Sequence, residues 1–461
     1  MPILAAYMVP HPPMILPEVG RGSEKQIEKT VRAYEAVAAE IAALRPETVI
    51  VSSPHSVIYA DYFHISPGKT AKGDFGRFGA PRAAFEETYD TELAGEIRGL
   101  AEARGFPAET LGERDRRLDH GTMVPLYFVE QKYRDFRLVR TGLSGLPLTE
   151  HYAFGQIIRE AVERTGRRAV YIASGDLSHK LQEYGPYGFA PEGPEYDRRI
   201  MDVCSRGAFG ELLDFDESFC DRAAECGHRS FVIMAGALDG LAVEARQLSH
   251  EDVTGVGYGI CAFRPGEASE ERRFLDMRRK KQAEELARRR EKEDPWVRLA
   301  REAVEKYVTS GERIRVPGGL PAEMTGRKAG VFVSIHEDGK LRGCIGTILP
   351  VYGSVAEEII HNAVSASTRD PRFSPVRPDE LDRLEINVDV LTEPERIESR
   401  EQLDVKRYGV IVSSGAKRGL LLPDLDGVDT VDEQVEIAMR KGGIRAGEKI
   451  TLERFEVVRH T

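Results

Sequence analysis

One segment of the sequence is too highly charged to lie inside a folded core. Between residues 264 and 294, 20 of 31 side chains are charged, 11 basic and 9 acidic. No Gly or Pro follows Gly266 within it, which favours a solvated helix stabilised by i,i+4 charge pairs. A nucleic-acid or membrane-surface helix is the weaker alternative, because the two signs nearly cancel. We therefore predict a helical linker at 264–295 between domains at 1–263 and 296–461.

The composition narrows the class of protein further. A chain of 461 residues with 41% apolar and 31% charged residues is typical of a globular protein of two or three domains. Its net charge of −11 disfavours a nucleic-acid partner. No signal peptide or run of about 18 apolar residues is present, so we expect no membrane segment. An odd number of irregularly spaced cysteines indicates the reducing cytoplasm: Cys204, Cys220, Cys226, Cys261 and Cys344.

Secondary-structure patterns differ before and after the charged segment. Before it, short apolar runs at 4–9, 48–52, 136–141 and 169–174 are separated by helical stretches such as 25–44 and 152–165. This alternation predicts an α/β domain with a mixed, largely parallel sheet flanked by helices. After it, short strands are divided by Gly, Pro and Asp turns, which predicts a separate α+β domain.

Four histidines occur at strand-to-loop boundaries of the first domain. His11 and His55 each follow an apolar run and a proline, His179 follows the run at 169–174, and His120 lies in a polar turn. Chemistry in α/β sheets collects where strands end, so we expect these rings to converge on one sheet edge. Neutral imidazole is a common metal ligand and an acid–base group near pH 7. His64, by contrast, has the pattern of an ordinary strand residue.

A further candidate ligand lies just before an apolar helix, in the sequence ECGHR at 225–229. Negative charge is favoured at a helix start, so Glu225 or Cys226 suits this position. Two histidines and a carboxylate are typical of non-haem Fe(II), whereas a thiolate shifts the preference toward zinc or copper. Purely structural roles, a helix-start charge for Glu225 and a small buried residue for Cys226, remain open.

These motifs together carry a resemblance. VPHPP at 9–13, SPHS at 53–56, DHG at 119–121, GDLSH at 175–179 and ECGHRS at 225–230 resemble the class III extradiol ring-cleavage dioxygenase superfamily, especially its MEMO branch, over about residues 1–265. The resemblance implies His11 and His55 as metal ligands. It implies Glu225 as the third ligand if the chain is a true dioxygenase, and Cys226 if it follows the MEMO branch.

The same resemblance implies a function. The protein would be an oxidoreductase that holds Fe(II), or else zinc or copper, and acts on a small aromatic substrate. His120 and His179 would move substrate protons, and Asp176 would fix the His179 tautomer, unless it only caps a loop. The alternatives are a non-catalytic metal- or peptide-binding accessory module and a zinc-dependent hydrolase with Asp119, Asp176 or Glu225 as its base.

Two motifs stand out after the linker. LRGCIGTILP at 341–350 places Arg342 and Cys344 at a strand end between glycines, and RDPRFSP begins at Arg369. Arg342 and Arg369 are candidate substrate-binding residues, and Cys344 is either a catalytic thiol or a tight-turn residue. These motifs resemble the AMMECR family over about 296–461, which implies a fold more than a reaction.

The combination of the two domains implies a partner. Such fusions accompany a radical S-adenosylmethionine enzyme, and this chain has no CxxxCxxC motif of its own. The iron–sulfur partner would therefore be a separate protein. A homo-oligomer with a shared site is also possible.

Overall fold

The protein is described by a computed structural model that covers residues 3–113, 115–337, 339–425 and 427–461. The chain divides into two compact units, Met1–Arg279 and Lys280–Thr461. None of the helices in these ranges is long and apolar enough to cross a membrane. The charged segment forms a helix as predicted, but the helix begins only at Phe274, because residues 264–268 complete a strand of the first unit.

The first unit is built from ten strands and nine α-helices within the described residues, and the last of these helices runs on into the second unit. The strands are β1 (Ile3–Val9), β2 (Thr48–Ser52), β3 (Phe63–His64), β4 (Thr70–Phe75), β5 (Ala80–Thr88), β6 (Ala108–Glu109), β7 (Arg137–Thr141), β8 (Ala169–Ser174), β9 (Leu241–Glu251) and β10 (Tyr258–Ala268). The α-helices are α1 (Pro17–Gly20), α2 (Glu28–Leu44), α3 (Thr91–Ala103), α4 (His120–Glu130), α5 (Leu148–Thr165), α6 (Glu192–Arg206), α7 (Glu217–Ala223), α8 (His228–Ala237) and α9 (Phe274–Lys292).

A six-stranded sheet in the order β7-β2-β8-β1-β10-β9 forms the centre of this unit. The strands β7, β2, β8 and β1 are parallel; β10 pairs antiparallel with β1, and β9 pairs antiparallel with β10. Both faces of the sheet are buried: Ile50 packs on the side of α5 and α8, whereas Val49 and Val51 pack on the side of α2 and α4. Burial on both faces explains the continuous apolar runs. The predicted mixed, largely parallel sheet is confirmed.

A pair of buried carboxyl groups lies where the hairpin β4–β5 meets the end of α4. Glu87 on β5 is only 7% exposed, and Glu130 is its neighbour. Burial and the adjacent Glu130 carboxyl raise the pKa of Glu87 to about 8. The folded chain thus binds a proton here that the unfolded chain releases near pH 4.5. This contribution to stability is present at low pH and is lost as the pH rises toward 8.

We therefore expect the Glu87→Gln variant to flatten the pH dependence of stability. Between about pH 5 and pH 8 the free energy of unfolding should fall more steeply for the wild type than for Glu87→Gln, as measured by urea denaturation. The matched control is Glu86→Gln, since Glu86 is exposed on the same strand and pairs with Lys72 at 2.9 Å. Glu86→Gln should follow the wild-type slope, and a Glu87→Gln variant with that same slope would contradict this account of the pair.

The second unit contains two antiparallel sheets. Its helices are α10 (Pro295–Ser310), α11 (Ala322–Thr325), α12 (Val355–Thr368) and α13 (Val431–Lys441). Its strands are β11 (Val331–Glu337), β12 (Lys340–Gly346), β13 (Leu384–Leu391), β14 (Glu395–Ile397), β15 (Gly409–Ser414), β16 (Lys417–Leu421), β17 (Thr451–Phe455) and β18 (Val457–His460). The sheet orders are β12-β11-β13-β18 and β14-β17-β15-β16. Residues of α10 and α12 form one apolar core with the first sheet, and α13 contributes to a second core with the other sheet. The predicted α+β class is confirmed.

Candidate metal centre

Two histidines from loops at the same edge of the sheet face each other. His11 follows β1 and is buried, whereas His55 follows β2 and is exposed. Their Nε2 atoms are 3.0 Å apart, and the rings are nearly perpendicular. One ring is thus held inside the protein and the other borders the solvent.

Cys226, in the loop before α8, is the third potential ligand beside His11 and His55. Its Sγ lies 3.6 Å from His11 Nε2, and the donor atoms of His11, His55 and Cys226 all lie within 4.8 Å of one another. The loop before α8 can come this close because Gly175 and Gly227 have no side chains. A Cβ on Gly175 would lie 2.1 Å from the Gly227 Cα, so the backbone contact requires glycine.

The adjacent Glu225 has a different role. Its Oε2 accepts a hydrogen bond from the backbone N–H of His228 at 2.5 Å, at the first turn of α8. Burial raises the pKa of this carboxyl to about 7. Of the two alternatives that the sequence leaves open, the structure places the thiol beside the histidines and the carboxylate at the helix start.

Hydrogen bonds set the orientation of the His11 ring. Nδ1 lies 2.9 Å from Ser174 Oγ, and this hydroxyl donates to the Gly121 carbonyl at 2.5 Å. Since the Ser174 proton is used there, the hydroxyl accepts from Nδ1–H, which leaves the Nε2 lone pair facing His55 and Cys226. His11 therefore presents the nitrogen that a metal ion would bind.

Asp176 does not orient His179 as the sequence suggests. Its Oδ1 accepts the backbone N–H of His11 at 2.7 Å, and burial raises the pKa of the carboxyl to about 7. Gly175 and Asp176 follow directly on β8, so this bond ties the end of that strand to the end of the neighbouring β1. Asp176 thus positions a predicted ligand rather than a predicted acid–base group.

The other two histidines lie beside this group. The His120 ring, at the start of α4, is centred 4.0 Å from that of His55, and His179 stacks on Tyr187 at 5.0 Å. Burial, and then the nearby His55, lower the pKa of His120 and of His179 to about 4. The structure thus brings all four predicted histidines to one edge of the sheet, with these two in the neutral form at pH 7.

The donor set fits a metal ion of the nitrogen- and sulfur-binding class. Ligands at about 2.0–2.3 Å from a tetrahedral ion lie roughly 3–4 Å from one another. His11 Nε2 lies 3.0 Å from His55 Nε2 and 3.6 Å from Cys226 Sγ, which fits this spacing. Burial and the surrounding histidines hold the pKa of His11 well below its usual range, so its ring is neutral, as a ligand must be. Burial raises the pKa of the Cys226 thiol, which a bound cation would counteract by favouring the thiolate.

Two residues support His120: sequence reasoning gave Asp119 only as a candidate base of the hydrolase, and it missed Arg140. Asp119 caps α4: its Oδ1 accepts the Thr122 N–H at 3.0 Å and the Ser53 hydroxyl at 2.5 Å. An Asp three residues before a Thr at a helix start is a recognisable capping pattern. Arg140 on β7 is 2% exposed and lies 3.5 Å from Asp119. Nothing in the sequence marks this arginine as buried.

Arg140 holds the segment that precedes His120. Its Nε donates to Ser66 Oγ and one terminal nitrogen donates to the Arg117 carbonyl, each at 2.8 Å. The other terminal nitrogen forms an ion pair with Glu113. One buried guanidinium therefore anchors three points between residues 113 and 119.

A cavity of about 360 Å³ opens beside His55 and His120. Its apolar wall comprises Val57, Phe78, Leu118 and Met123, and the remainder is polar or charged. A small molecule in this cavity would lie next to one predicted ligand and one predicted acid–base group.

The candidate residues of the second unit have mostly structural partners. Cys344 on β12 is half-buried, accepts a hydrogen bond from Ser334 Oγ at 3.2 Å and donates its N–H to Asp370 at 2.9 Å. Arg342 forms an ion pair with the buried Glu380 at 3.0 Å. It also donates to the carbonyls of residues 374 and 375, so it secures a loop rather than facing a ligand. Arg369 is exposed directly after α12.

Comparisons with known proteins match both units. Residues 5–261 match the family described as the catalytic LigB subunit of aromatic ring-opening dioxygenase, and residues 297–460 match the AMMECR1 family. A protein of Clostridium acetobutylicum is 42% identical over 462 aligned residues, which cover 98% of each chain. A protein of Thermotoga maritima is 49% identical over 170 residues, 36% of this chain and 98% of its own. A solved structure of an uncharacterized Pyrococcus horikoshii protein is 35% identical and covers 36% of this chain and 88% of its own, with a TM-score of 0.34.

Proposed function

Because the chain belongs to the LigB family of aromatic ring-opening dioxygenase subunits and carries an AMMECR1 domain, we propose that it is a metal-dependent oxidoreductase acting on a small aromatic substrate. The fusion of these two domains, which the sequence motifs indicate, is confirmed by the family matches. The observation that carries the proposal is the convergence of His11, His55 and Cys226 within 4.8 Å beside a cavity.

Ferrous iron is the proposed metal. When bound, it would supply the Lewis acidity and the redox chemistry that aromatic ring cleavage by dioxygen needs. His11 is the rigid ligand, because Ser174 and Asp176 hold its ring and backbone. His55 is the ligand on the open side, next to the cavity that would admit the substrate.

We assign proton transfer to the neutral His120 and His179. His120 lines the cavity and lies against His55, so its ring is placed to accept a proton from a substrate hydroxyl. His179 Nε2 is buried and has no hydrogen-bond partner among the described residues. It is therefore available as the second proton acceptor.

Zinc-dependent hydrolysis is the second candidate, favoured by the thiol in the donor set. It requires a carboxylate general base near the metal. Asp119 lines the cavity, but its oxygens already accept hydrogen bonds from Ser53 and Thr122. Asp176 and Glu225 are likewise engaged by backbone N–H groups. Ring cleavage is therefore better supported, because its acid–base groups, His120 and His179, are available, whereas the carboxylates that hydrolysis needs are already hydrogen-bonded.

Metal analysis of protein purified without oxygen, followed by oxygen-uptake measurements with catechol, tests the proposal. We expect about one iron per chain and catechol-dependent uptake. His120→Ala should retain the iron and lose most of the uptake, because it removes only the proton acceptor. Zinc without uptake would favour the hydrolase. A metal-free protein with an intact fold would contradict both candidates and leave a non-catalytic accessory module.

Two expectations from the sequence stay predictions. One is the separate radical S-adenosylmethionine enzyme as a partner, and the other is the cytoplasmic location.

A further inference from the structure

The loop that carries His179 is bonded to a buried carboxylate from another element. Asp197 lies on α6 and is 2% exposed. Its Oδ1 accepts the backbone N–H of Ser178 at 2.9 Å. Ser178 directly precedes His179 in the chain, so this hydrogen bond holds the backbone beside a residue to which we assign proton transfer.

The second oxygen of Asp197 is also occupied. Oδ2 lies 2.8 Å from Nε2 of His250, on β9. The carboxylate fits here because residue 257 is a glycine, and a Cβ on Gly257 would lie 2.1 Å from Oδ2. A buried carboxylate is costly unless it is paired and hydrogen-bonded. With a partner on each oxygen, the Asp197 carboxylate is held in one orientation.

The other polar atoms of Ser178 are bonded as well. Its carbonyl accepts the Gly257 N–H at 2.8 Å. Its hydroxyl donates to the Ala223 carbonyl at 2.8 Å and accepts the Lys180 N–H at 3.0 Å. The backbone is thus bonded on both sides of His179. Among these contacts the bond to the carboxylate involves a charged group, and such hydrogen bonds are the stronger ones.

The His179 ring depends on this backbone for its position. Its Nε2 is buried and has no hydrogen-bond partner among the described residues. The ring stacks on Tyr187, which is itself exposed. Because no hydrogen bond at Nε2 fixes the ring, the place of this nitrogen follows from the backbone at Ser178 and from the stacking contact.

We propose that Asp197 is a positioning residue for His179, which it holds beside the metal centre through the Ser178 N–H. The inference rests on the proposed function for the proton-transfer role of His179. It adds a residue that is neither a donor of the metal site nor part of the cavity wall. His250 is the partner that keeps the carboxylate turned toward Ser178.

Hydrogen exchange of the full chain, followed by mass spectrometry, tests this inference without turnover. Asp197→Ala removes the acceptor, so the amides of residues 177–181 should exchange roughly 10- to 100-fold faster, as expected for the loss of a hydrogen bond to a charged group. Asp197→Asn keeps an oxygen for the Ser178 N–H and offers an N–H to His250, so it should exchange nearly as slowly as the wild type.

The matched control for hydrogen exchange is Asp202→Ala. Asp202 is an exposed residue of the same helix and pairs with Arg206 at 2.7 Å, so its loss should leave the amides of 177–181 unchanged. If Asp197→Ala does not fold, Asp197→Ser takes its place. Its hydroxyl is one bond shorter than the carboxylate and leaves a polar group in the site, so the same faster exchange is expected.

Oxygen uptake with catechol by the iron-loaded protein gives a second readout. Asp197→Ala should lower kcat by at least about 10-fold, because a misplaced proton acceptor slows the chemical step. The iron content and the KM for catechol should stay at the wild-type level, since Asp197 touches neither site. A residue that only stabilises the fold would leave the kcat of the folded protein unchanged.

Three results would overturn the inference: wild-type exchange at 177–181 in Asp197→Ala, equally fast exchange in Asp202→Ala, or an unchanged kcat despite faster exchange. The proposed function fails in a different way. If the iron-loaded wild type consumes no oxygen, ring cleavage falls, while the exchange rates still decide whether Asp197 holds the loop.

Discussion

Replacing His55 by alanine is expected to lower the metal content of the purified protein from about one ion per chain to nearly none. His55 supplies one of the three donor atoms, and its ring is exposed, so its removal leaves no buried void. Mutating a residue that only orients a ligand costs about 10- to 100-fold in metal affinity, and losing the ligand itself should cost more. Elemental analysis measures the metal, and thermal unfolding shows that the fold is intact.

The matched control for this prediction is His179→Ala. His179 lies at the same sheet edge but is not among the three donor residues, so its variant should keep the metal. Metal retained by His55→Ala at the wild-type level would show that these side chains do not form the site. Metal lost from both variants would point instead to a general disturbance of the sheet edge.

Replacing Arg140 by methionine is expected to lower the free energy of unfolding of the first unit by about 3–5 kcal/mol. The side chains of Arg140 and Glu113 are each 2% exposed. Removing the guanidinium leaves the Glu113 carboxylate buried and unpaired, which is far more costly than losing a surface pair. Urea denaturation of the full chain, followed by circular dichroism, measures the change.

Two further variants test whether the loss of stability arises because a charge is left buried without its partner. Arg117→Met breaks the exposed pair with Asp115 and should leave the free energy of unfolding nearly unchanged. Combining Arg140→Met with Glu113→Gln should recover part of the lost stability, because the Glu113 charge is then no longer buried without a partner. If Arg140→Met lowers the free energy of unfolding no more than Arg117→Met does, the buried pair does not stabilise the segment at 113–119.

The convergence of the histidines illustrates what a sequence can predict about a site. His11, His55 and His179 each follow an apolar run, and parallel strands all end at the same sheet edge. The alternation of strands and helices therefore indicates their proximity without any knowledge of side-chain contacts. The same reasoning assigns Asp176 to His179, because it considers only neighbours in sequence, and there it fails.

Buried polar contacts between distant segments explain most of what the sequence could not indicate. Arg140 stands in a strand, where a lone arginine is typical of an exposed position, yet its partner Glu113 lies 27 residues away. Arg342 suggested a ligand contact from its glycine-rich surroundings. It binds Glu380, 38 residues further along the chain. Neither pairing follows from local spacing, because each depends on how separate loops pack.

The charged segment, the alternating apolar runs and the motifs were enough to determine two domains, their fold classes and their families. They also determined which histidines meet, because strand direction decides which ends share an edge. Tertiary structure alone decided between Glu225 and Cys226, which are adjacent in sequence. The close contact of Gly175 with Gly227 brings the thiol to His11, while the His228 N–H holds the carboxylate at the start of α8. The contact of Gly175 with Gly227 joins segments about fifty residues apart in the chain, and no local pattern encodes it.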